Sequence, residues 1–168
     1  MLLLGITGWS GSGKTTLLTA LIPLLTARGR RVSTVKHAHH DFDLDQPGKD
    51  SWRHRAAGAH EVMIATSRRW ALLHENTGAE PDLAALLARL APVDLVLVEG
   101  FRASPHPKIE VHRPSLGKPP IWPDRADIVA VATDVALQHC PVPQLGLSNP
   151  GAVVDWIEAF CWPARPAA

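Results

Sequence analysis

A glycine-rich pattern near the amino terminus limits the folds open to this chain of 168 residues. The pattern reads Gly8-Trp9-Ser10-Gly11-Ser12-Gly13-Lys14-Thr15, and it matches the phosphate-binding loop G-x-x-x-x-G-K-[ST]. It lies between an apolar run, Leu2–Ile6, and a segment with leucines at helical spacing, Thr15–Arg28. Glycines let backbone N–H groups turn toward phosphate oxygens, and the helix N-terminus adds free donors. The alternative, a plain Gly/Ser-rich turn, gives no reason for a lysine and a threonine to follow it.

The residues after the last glycine of the loop are expected to supply its chemistry. Lys14 is expected to reach the β- and γ-phosphates of a nucleotide, and Thr15 to place its hydroxyl on Mg²⁺. Thr16 comes next along the helix, near the same phosphates. The predicted nucleotide-binding residues of this segment are Gly8, Trp9, Ser10, Gly11, Ser12, Gly13, Lys14, Thr15 and Thr16.

Two further strand ends are predicted at the same edge of the sheet. Glu99 ends the apolar run Leu95–Val98, at the position of a Walker-B-type carboxylate. It would hold a Mg²⁺ water or orient an attacking water, and Gly100 would offer its N–H to the γ-phosphate. The alternative for Glu99 is a surface carboxylate. Lys36 ends another strand, where it either adds charge at the phosphates or is simply solvated.

A loop of histidines and aspartates follows the second strand, with His37, His39 and His40 beside Asp41 and Asp43. It predicts either a switch or substrate loop, a transition-metal site, or a solvated polar loop. In the first case Asp41 would take part in catalysis by meeting the Mg²⁺ or the attacking water. The spacing matches no known zinc signature.

Charged residues continue beyond this loop. Lys49, Asp50 and Arg53 extend the predicted switch or substrate segment, and the basic residues there could recognise an anionic ligand such as a second phosphate. Arg55 lies two residues after Arg53, so the two do not share a helix face and at most one is expected to point into a site. Solvated helix charges are the common alternative.

The composition argues against several classes of protein. Seventeen Lys and Arg against sixteen Asp and Glu give a formal net charge of +1, which argues against a nucleic-acid binder. No apolar stretch reaches the roughly 20 residues that span a bilayer, and no secretory signal is evident. The two cysteines cannot form a disulfide framework. We expect a cytoplasmic protein with one nucleotide-binding domain over residues 1–168 and a frayed tail at 163–168.

Short apolar runs alternate with helical segments, which predicts an α/β fold: a P-loop NTPase with a mostly parallel sheet flanked by helices. A β-hairpin extension is predicted from Glu61–Ala65 and Trp70–Glu75, although its turn lacks the favoured Asn-Gly pair. Pro23 should bend the first helix. The other predicted elements are strands at Arg31–Lys36, Lys108–His112 and Ile128–Ala132, and three helices. The first helix is short, capped by Asp50 or Ser51 and ending near Gly58, the second is opened by Pro81 and carries Leu83 to Leu90, and the third closes the chain at Pro150–Phe160.

Six segments occur along the chain in the following order and cover most of residues 1–134: the phosphate loop, Val35–Asp41, Pro47–Ser51, Leu97–Phe101, Pro107–Ile109 and Ala130–Asp134. Together they resemble one family, the molybdopterin-guanine dinucleotide biosynthesis protein B (MobB) family. The resemblance implies a GTP-binding homodimer with slow or partner-dependent GTP hydrolysis that uses Mg²⁺. It also implies an adapter that assists the guanylyltransferase joining GMP to molybdopterin, with molybdopterin or its guanine dinucleotide as a further candidate ligand.

Guanine selectivity and dimerisation each have one candidate feature. The chain has no Asn-Lys-x-Asp motif, but Asp134 ends a predicted strand where a guanine-reading carboxylate would be needed. Asp134 either reads the base or caps a turn. The hairpin would present a free strand edge that a second copy of the chain could cover, with Trp70 either in that interface or in the core.

Two other functions use the same phosphate loop. A small-molecule kinase would need a base, from Glu99 or the 41–45 loop, and a basic lid, from Arg68 and Arg69 or from Lys108 and Arg113. A metallochaperone NTPase would carry a metal ion on the histidine loop. We expect the GTP-binding adapter.

Overall fold

The computed structural model describes residues 1–38 and 45–163. The chain divides into two compact units, Met1–His37 with Leu90–Ala168, and Ala38–Arg89. The predicted single domain stays a prediction. The predicted frayed tail lies outside the described residues, apart from its first position.

The predicted strands and helices are present, with small shifts at their ends. The strands are β1 (Leu2–Thr7), β2 (Val32–Lys36), β3 (Glu61–Ala65), β4 (Trp70–His74), β5 (Leu95–Glu99), β6 (Lys108–His112), β7 (Ile128–Thr133) and β8 (Gln144–Gly146). The helices are α1 (Lys14–Ala27), α2 (Asp50–Ala56), α3 (Leu83–Leu87) and α4 (Pro150–Cys161), with short 3-10 turns at Pro114–Leu116 and Trp122–Asp124.

The first unit contains a sheet in the order β2-β5-β1-β6-β7-β8, in which every neighbouring pair is parallel. This confirms the predicted α/β fold class. Because all strands run the same way, their carboxyl ends lie at one edge, where ligands of open α/β sheets bind. The phosphate loop follows β1 at that edge, near the centre of the sheet.

One face of the sheet is buried against α1 and α4. The leucines of α1 recur at spacings of three and four, so they form one apolar stripe, and Leu21 and Leu25 are fully buried. The buried cluster includes Leu4, Ile6, Leu17, Leu18, Leu21, Leu25, Leu95, Leu97, Ile109, Val111, Val153, Val154 and Ile157. Burial on this face anchors α1, and α1 in turn fixes the end of the phosphate loop.

The other face of β6 carries polar side chains that are also buried. Lys108, Glu110 and His112 alternate along the strand, and each is less than one-tenth exposed. Glu110 accepts hydrogen bonds from the backbone N–H groups of Ile121 and Trp122. The segment after β6 therefore binds the Glu110 carboxylate, while the Lys108 ammonium donates to the carbonyls of Ser104 and His106, before β6, and to Asp127.

The second unit contains the antiparallel hairpin β3–β4, as predicted. Its turn is closed by Thr66, whose backbone N–H and hydroxyl both donate to the carbonyl of Arg69. The hydroxyl also accepts from the N–H groups of Arg68 and Arg69, so a threonine side chain replaces the missing Asn-Gly pair.

Three details differ from the predicted elements. The helix predicted to open at Pro81 begins at Leu83, because the side chain of Asp82 caps it by accepting from the N–H of Ala85. It ends at Leu87, before Leu90. The short edge strand β8 was not predicted, since three residues carry too little pattern. Helix α1 runs through Pro23, and the predicted bend stays a prediction.

Candidate nucleotide-binding site

The phosphate loop packs closely on the end of β6. Gly8 has φ +143°, and a Cβ there would lie 2.4 Å from the carbonyl oxygen of Val111, so only glycine fits without a shift of the backbone. The Lys14 ammonium folds over the loop and donates to the carbonyl oxygens of Gly8 at 3.0 Å and Trp9 at 2.9 Å. The loop thus holds a positive charge inside its own turn.

The start of α1 is open to an anion. Gly13 forms its N-cap with φ +98°, and no side chain caps the first turn. The hydroxyl of Ser12 is buried and has no hydrogen-bond partner among residues 1–38 and 45–163. Uncapped N–H groups, the helix dipole and an orphaned hydroxyl are suited to phosphate oxygens.

Thr15, Glu99 and Lys36 meet at the carboxyl edge. The Thr15 hydroxyl donates to Glu99 Oε1 at 2.9 Å, and the Lys36 ammonium lies 3.6 Å from the same oxygen. Lys36 and Glu99 are register partners of β2 and β5, which accounts for their contact. A hydroxyl and a carboxylate oxygen this close are the ligand types that Mg²⁺ prefers beside a nucleotide.

The pKa of Lys14 is shifted by burial and by the charges of Glu99 and Lys36. Burial lowers the pKa of the Lys14 ammonium, nearby Lys36 lowers it further, and Glu99 opposes both effects. A bound polyphosphate would add negative charge at this point and favour the protonated lysine.

Gly100 and His37 lie against each other beyond Glu99. Gly100 has φ +96°, and a Cβ there would lie 2.7 Å from the Cβ of His37. The His37 N–H donates to the carbonyl of Glu99, and its ring lies 4.8 Å from that of Phe101, measured between centroids. His37 is therefore a neighbour of the strand end that carries Glu99.

Arg113 joins the loop to the end of β7, a contact that the sequence did not reveal. Its Nε donates to the carbonyl of Ser12 at 3.0 Å, and its Nη1 donates to Asp134 Oδ2 at 2.7 Å. The side chain of Arg113 thus connects Asp134 to the phosphate loop. The signal would have been hard to find, because 101 positions separate Arg113 from Ser12.

Trp9 has cationic neighbours on its indole. The guanidinium carbon of Arg102 lies 5.0 Å from the ring centroid, and the ammonium of Lys118 lies 5.9 Å from it. The indole N–H donates to the carbonyl of Pro119 at 2.8 Å. Trp9 is therefore a fixed, half-buried part of the loop surface.

The remaining predicted residues fall elsewhere. Lys49, Asp50 and Arg53 lie at or within the start of α2, in the second unit, where Arg53 is exposed. Ser10 and Thr16, within the nucleotide-binding segment, are exposed. Their roles stay predictions. His39, His40, Asp41 and Asp43 lie outside the described residues.

Residues 1–38 and 45–163 contain no group of three or more His, Cys, Asp or Glu side chains placed to hold a metal ion. No helix in these ranges is both long enough and apolar enough to cross a membrane.

The parallel sheet, the glycine loop with its inward lysine, and the Thr15–Glu99 pair define a P-loop protein of the NTPase fold. The model of one family, Molybdopterin guanine dinucleotide synthesis protein B (MobB), matches residues 3–134. The chain belongs to this family.

Individual relatives agree with this assignment. The chain is 43% identical over 160 residues to the molybdopterin-guanine dinucleotide biosynthesis adapter protein of Escherichia coli, covering 92% of this chain and 90% of that protein. It is 49% identical over 137 residues to the Haemophilus influenzae protein of the same name, covering 81% and 76%. A crystal structure of molybdopterin-guanine biosynthesis protein B superposes with a TM-score of 0.75 at 29% identity, covering 95% and 99%.

Proposed function

We propose that this protein is a GTP-binding adapter of molybdenum cofactor biosynthesis, acting in the cytoplasm. It would assist the guanylyltransferase that forms molybdopterin guanine dinucleotide, and that enzyme would perform the nucleotidyl transfer. The observation that carries the proposal is the arrangement of Lys14, Thr15 and Glu99 around an open helix N-terminus, in a chain of this family. The names of the relatives supply the pathway.

The phosphates of GTP would take the place of the loop carbonyls as partners of Lys14. The uncapped N–H groups after Gly13 would bind phosphate oxygens, and Lys36 would add charge beside them. Mg²⁺, held by Thr15 and Glu99, would neutralise charge on the phosphates. Hydrolysis is secondary in this proposal, with Glu99 or Asp41 orienting the attacking water.

Guanine would be read by Asp134. A carboxylate accepts from both N1–H and the 2-amino group of guanine, a pair of donors that adenine lacks. Arg113 donates to Oδ2 of Asp134 and to the carbonyl of Ser12 in the phosphate loop. The same arginine would therefore support both the part of the site that binds the base and the part that binds the phosphates.

Dimerisation would use the exposed face of the hairpin. Met63 is 64% exposed and Trp70 is 67% exposed, which excludes the core as the environment of Trp70. Register places Met63 opposite Leu72 on that face, with Ala65 opposite Trp70. Apolar side chains this exposed are typical of an interaction surface, and a second copy would bury them.

Calorimetry tests the nucleotide part of the proposal. GTP and ATP are titrated with Mg²⁺ into the wild type and into Lys14→Ala, with Arg31→Ala as a control at an exposed cation outside the site. GTP-selective binding, lost only in Lys14→Ala, supports the proposal. Preferential ATP binding contradicts it and directs the search to a phosphate acceptor, as for a kinase.

The adapter part is tested with the transferase. Adding the protein should change the yield of guanine dinucleotide made by the purified transferase, and Lys14→Ala should remove the change. Unchanged yield, with no binding between the two proteins, would contradict the adapter role. Stoichiometric, histidine-dependent metal uptake would instead favour a metallochaperone.

A further inference from the structure

Three neighbouring strands each send one residue to a cluster beside the phosphate loop. Trp9 follows β1, Arg102 follows β5 and Lys118 lies in the segment after β6. Since β5, β1 and β6 are adjacent in the sheet, the loops at their carboxyl ends meet. We call Trp9, Arg102 and Lys118 the indole cluster, because both cations lie within 6 Å of the same indole ring centroid.

The cations of the indole cluster have no ion-pair partner within the described parts of the chain. Arg30, also in the first unit, lies on an indole as well, but it has an ion-pair partner. Arg30 lies 4.0 Å over the ring of Trp162, and its charge is paired with Glu158 at 3.0 Å. Arg102 and Lys118 are held on an aromatic ring in the same way, but without a carboxylate at ion-pair distance.

A nearby buried acid does not fill this role. Glu110 interacts electrostatically with Arg102, but it is fully buried, and its oxygens accept the N–H groups of Ile121 and Trp122. Its carboxylate is thus bound to backbone donors. An external anion near this indole would therefore be attracted by two positive charges that have no carboxylate of the described residues at ion-pair distance.

The framework of the indole cluster is fixed by hydrogen bonds. Trp9 is tied to Pro119 through its indole N–H, and Arg125 donates to the carbonyl of Arg102 at 2.7 Å. The indole also packs against the buried cluster that includes Ile121. A surface whose main chain is held in place loses less conformational entropy when a ligand binds.

We propose that the indole cluster binds a second anionic ligand, a phosphate monoester of a small molecule, next to the nucleotide. Arginine and lysine are the side chains that recognise phosphate, and the indole keeps both cations at the site. This inference rests on the proposed function only in placing a nucleotide in the adjoining loop. Binding at the indole cluster does not require Lys14.

Flavin mononucleotide and riboflavin form a matched pair of probes, because they differ by one phosphate. Their binding is measured by fluorescence on Lys14→Ala, which disables the nucleotide loop, and on the wild type saturated with Mg²⁺ and a non-hydrolysable GTP analogue. Flavin mononucleotide should bind to both, riboflavin should bind at least about tenfold more weakly, and inorganic phosphate should compete.

Substitutions then test whether flavin mononucleotide binds at the indole cluster. Arg102→Ala and Lys118→Ala should each weaken binding of flavin mononucleotide by about tenfold or more, since each removes a charge-assisted hydrogen bond. Arg102→Lys should retain part of it. Arg30→Ala is the matched control, because it removes a cation that also lies on an indole but is already paired with the carboxylate of Glu158. All three side chains are at least partly exposed, and thermal melting checks that the four variants fold.

Three results would overturn the inference: no binding of flavin mononucleotide, equal binding of riboflavin, or binding that Arg102→Ala and Lys118→Ala leave unchanged. Loss of GTP affinity in those two variants, with no effect on the probe, would assign the cations to the nucleotide instead. A failure of GTP to bind the wild type would contradict the proposed function alone, because the Lys14→Ala measurement uses no nucleotide.

Discussion

The Thr15 hydroxyl donates to the Glu99 carboxylate at 2.9 Å, across 84 positions of sequence. The strands make this contact possible, because β1 and β5 are adjacent and parallel. The two groups expected to hold Mg²⁺ thus lie within hydrogen-bond distance of each other.

Glu99→Gln should remove the Mg²⁺ dependence of GTP binding. The amide keeps the size of the side chain and can still accept from Thr15, but it lacks the charge that attracts a divalent cation. Calorimetry with Mg²⁺ and with EDTA should give similar affinities for the variant. Asp155→Asn, which changes an exposed carboxylate on α4, is the control and should behave like the wild type. If Mg²⁺ still strengthens GTP binding to Glu99→Gln, Glu99 is not a ligand of the metal.

Asp134→Asn should change the preferred base from guanine to xanthine. Xanthine carries a carbonyl in place of the 2-amino group, and an asparagine amide can donate to it. Titrations with GTP and XTP should show a reversal of at least about tenfold in the affinity ratio. Arg113→Ala should weaken both nucleotides alike, since it loosens the loop at Ser12 and leaves the carboxylate in place. An unchanged ratio in Asp134→Asn would mean that Asp134 does not read the base.

Gly100→Ala should destabilise the fold by about 1–3 kcal/mol, because it forces a side chain into a left-handed backbone conformation. The new Cβ would also lie 2.7 Å from that of His37. Urea unfolding measures the change. Gly146→Ala is the control, since a Cβ there has open space. Equal stability of both variants would show that the loop after β5 adapts freely.

Acid should weaken the fold through His106. Burial, with the charge of Lys108 next, lowers the pKa of this histidine to about 4, and neither ring nitrogen has a partner within the described residues. The unfolded chain, with a histidine pKa near 6.5, binds the proton first, so stability falls as pH drops from about 6.5 toward 4. Between pH 7 and pH 5 the loss from this group is about 2 kcal/mol.

His106→Leu tests the acid effect by removing the titrating ring. Its urea unfolding should lose much less stability between pH 7 and pH 5 than that of the wild type. The buried His112, whose pKa burial also lowers, contributes in the same direction and remains in the variant. His139→Asn, at an exposed position, should keep the full pH dependence. The same slope in all three proteins would exclude His106 as the cause.

Trp70→Arg should convert a homodimer into monomers. A charged group on the exposed hairpin face would have to be desolvated in a packed interface. Sedimentation measures the mass, with Leu24→Arg on α1 as a control at another exposed apolar side chain. A dimer that survives Trp70→Arg unchanged, or a wild type that is monomeric, would contradict the hairpin interface.

Apolar runs predicted the centre of the sheet, because β1, β5 and β7 are buried parallel strands whose residues need no alternation. The phosphate loop followed from its residue types and spacing alone. Glu99 followed from the position at which its strand ends.

The polar face of β6 could not be predicted in the same way. Polar residues at alternating positions, such as Lys108, Glu110 and His112, are typical of a strand with one solvent-exposed face, yet all three are buried. These side chains are buried because of tertiary contacts. The backbone N–H groups of Ile121 and Trp122 donate to the carboxylate of Glu110, and they belong to a segment whose sequence has little periodicity that could have predicted the contact. The link from Arg113 to Asp134 was missed for the same reason, since pairs between loops leave no local pattern.

The hydrogen bonds from Lys14 to the carbonyls of Gly8 and Trp9 have a consequence for affinity. A nucleotide entering the loop does not find a freely moving lysine, so part of the roughly 1.5–2 kcal/mol of rotamer entropy of that side chain is already lost. Binding is then an exchange of acceptors, carbonyl oxygens for phosphate oxygens, around an ammonium that is directed in advance. The measured affinity reports the difference between these two sets of partners.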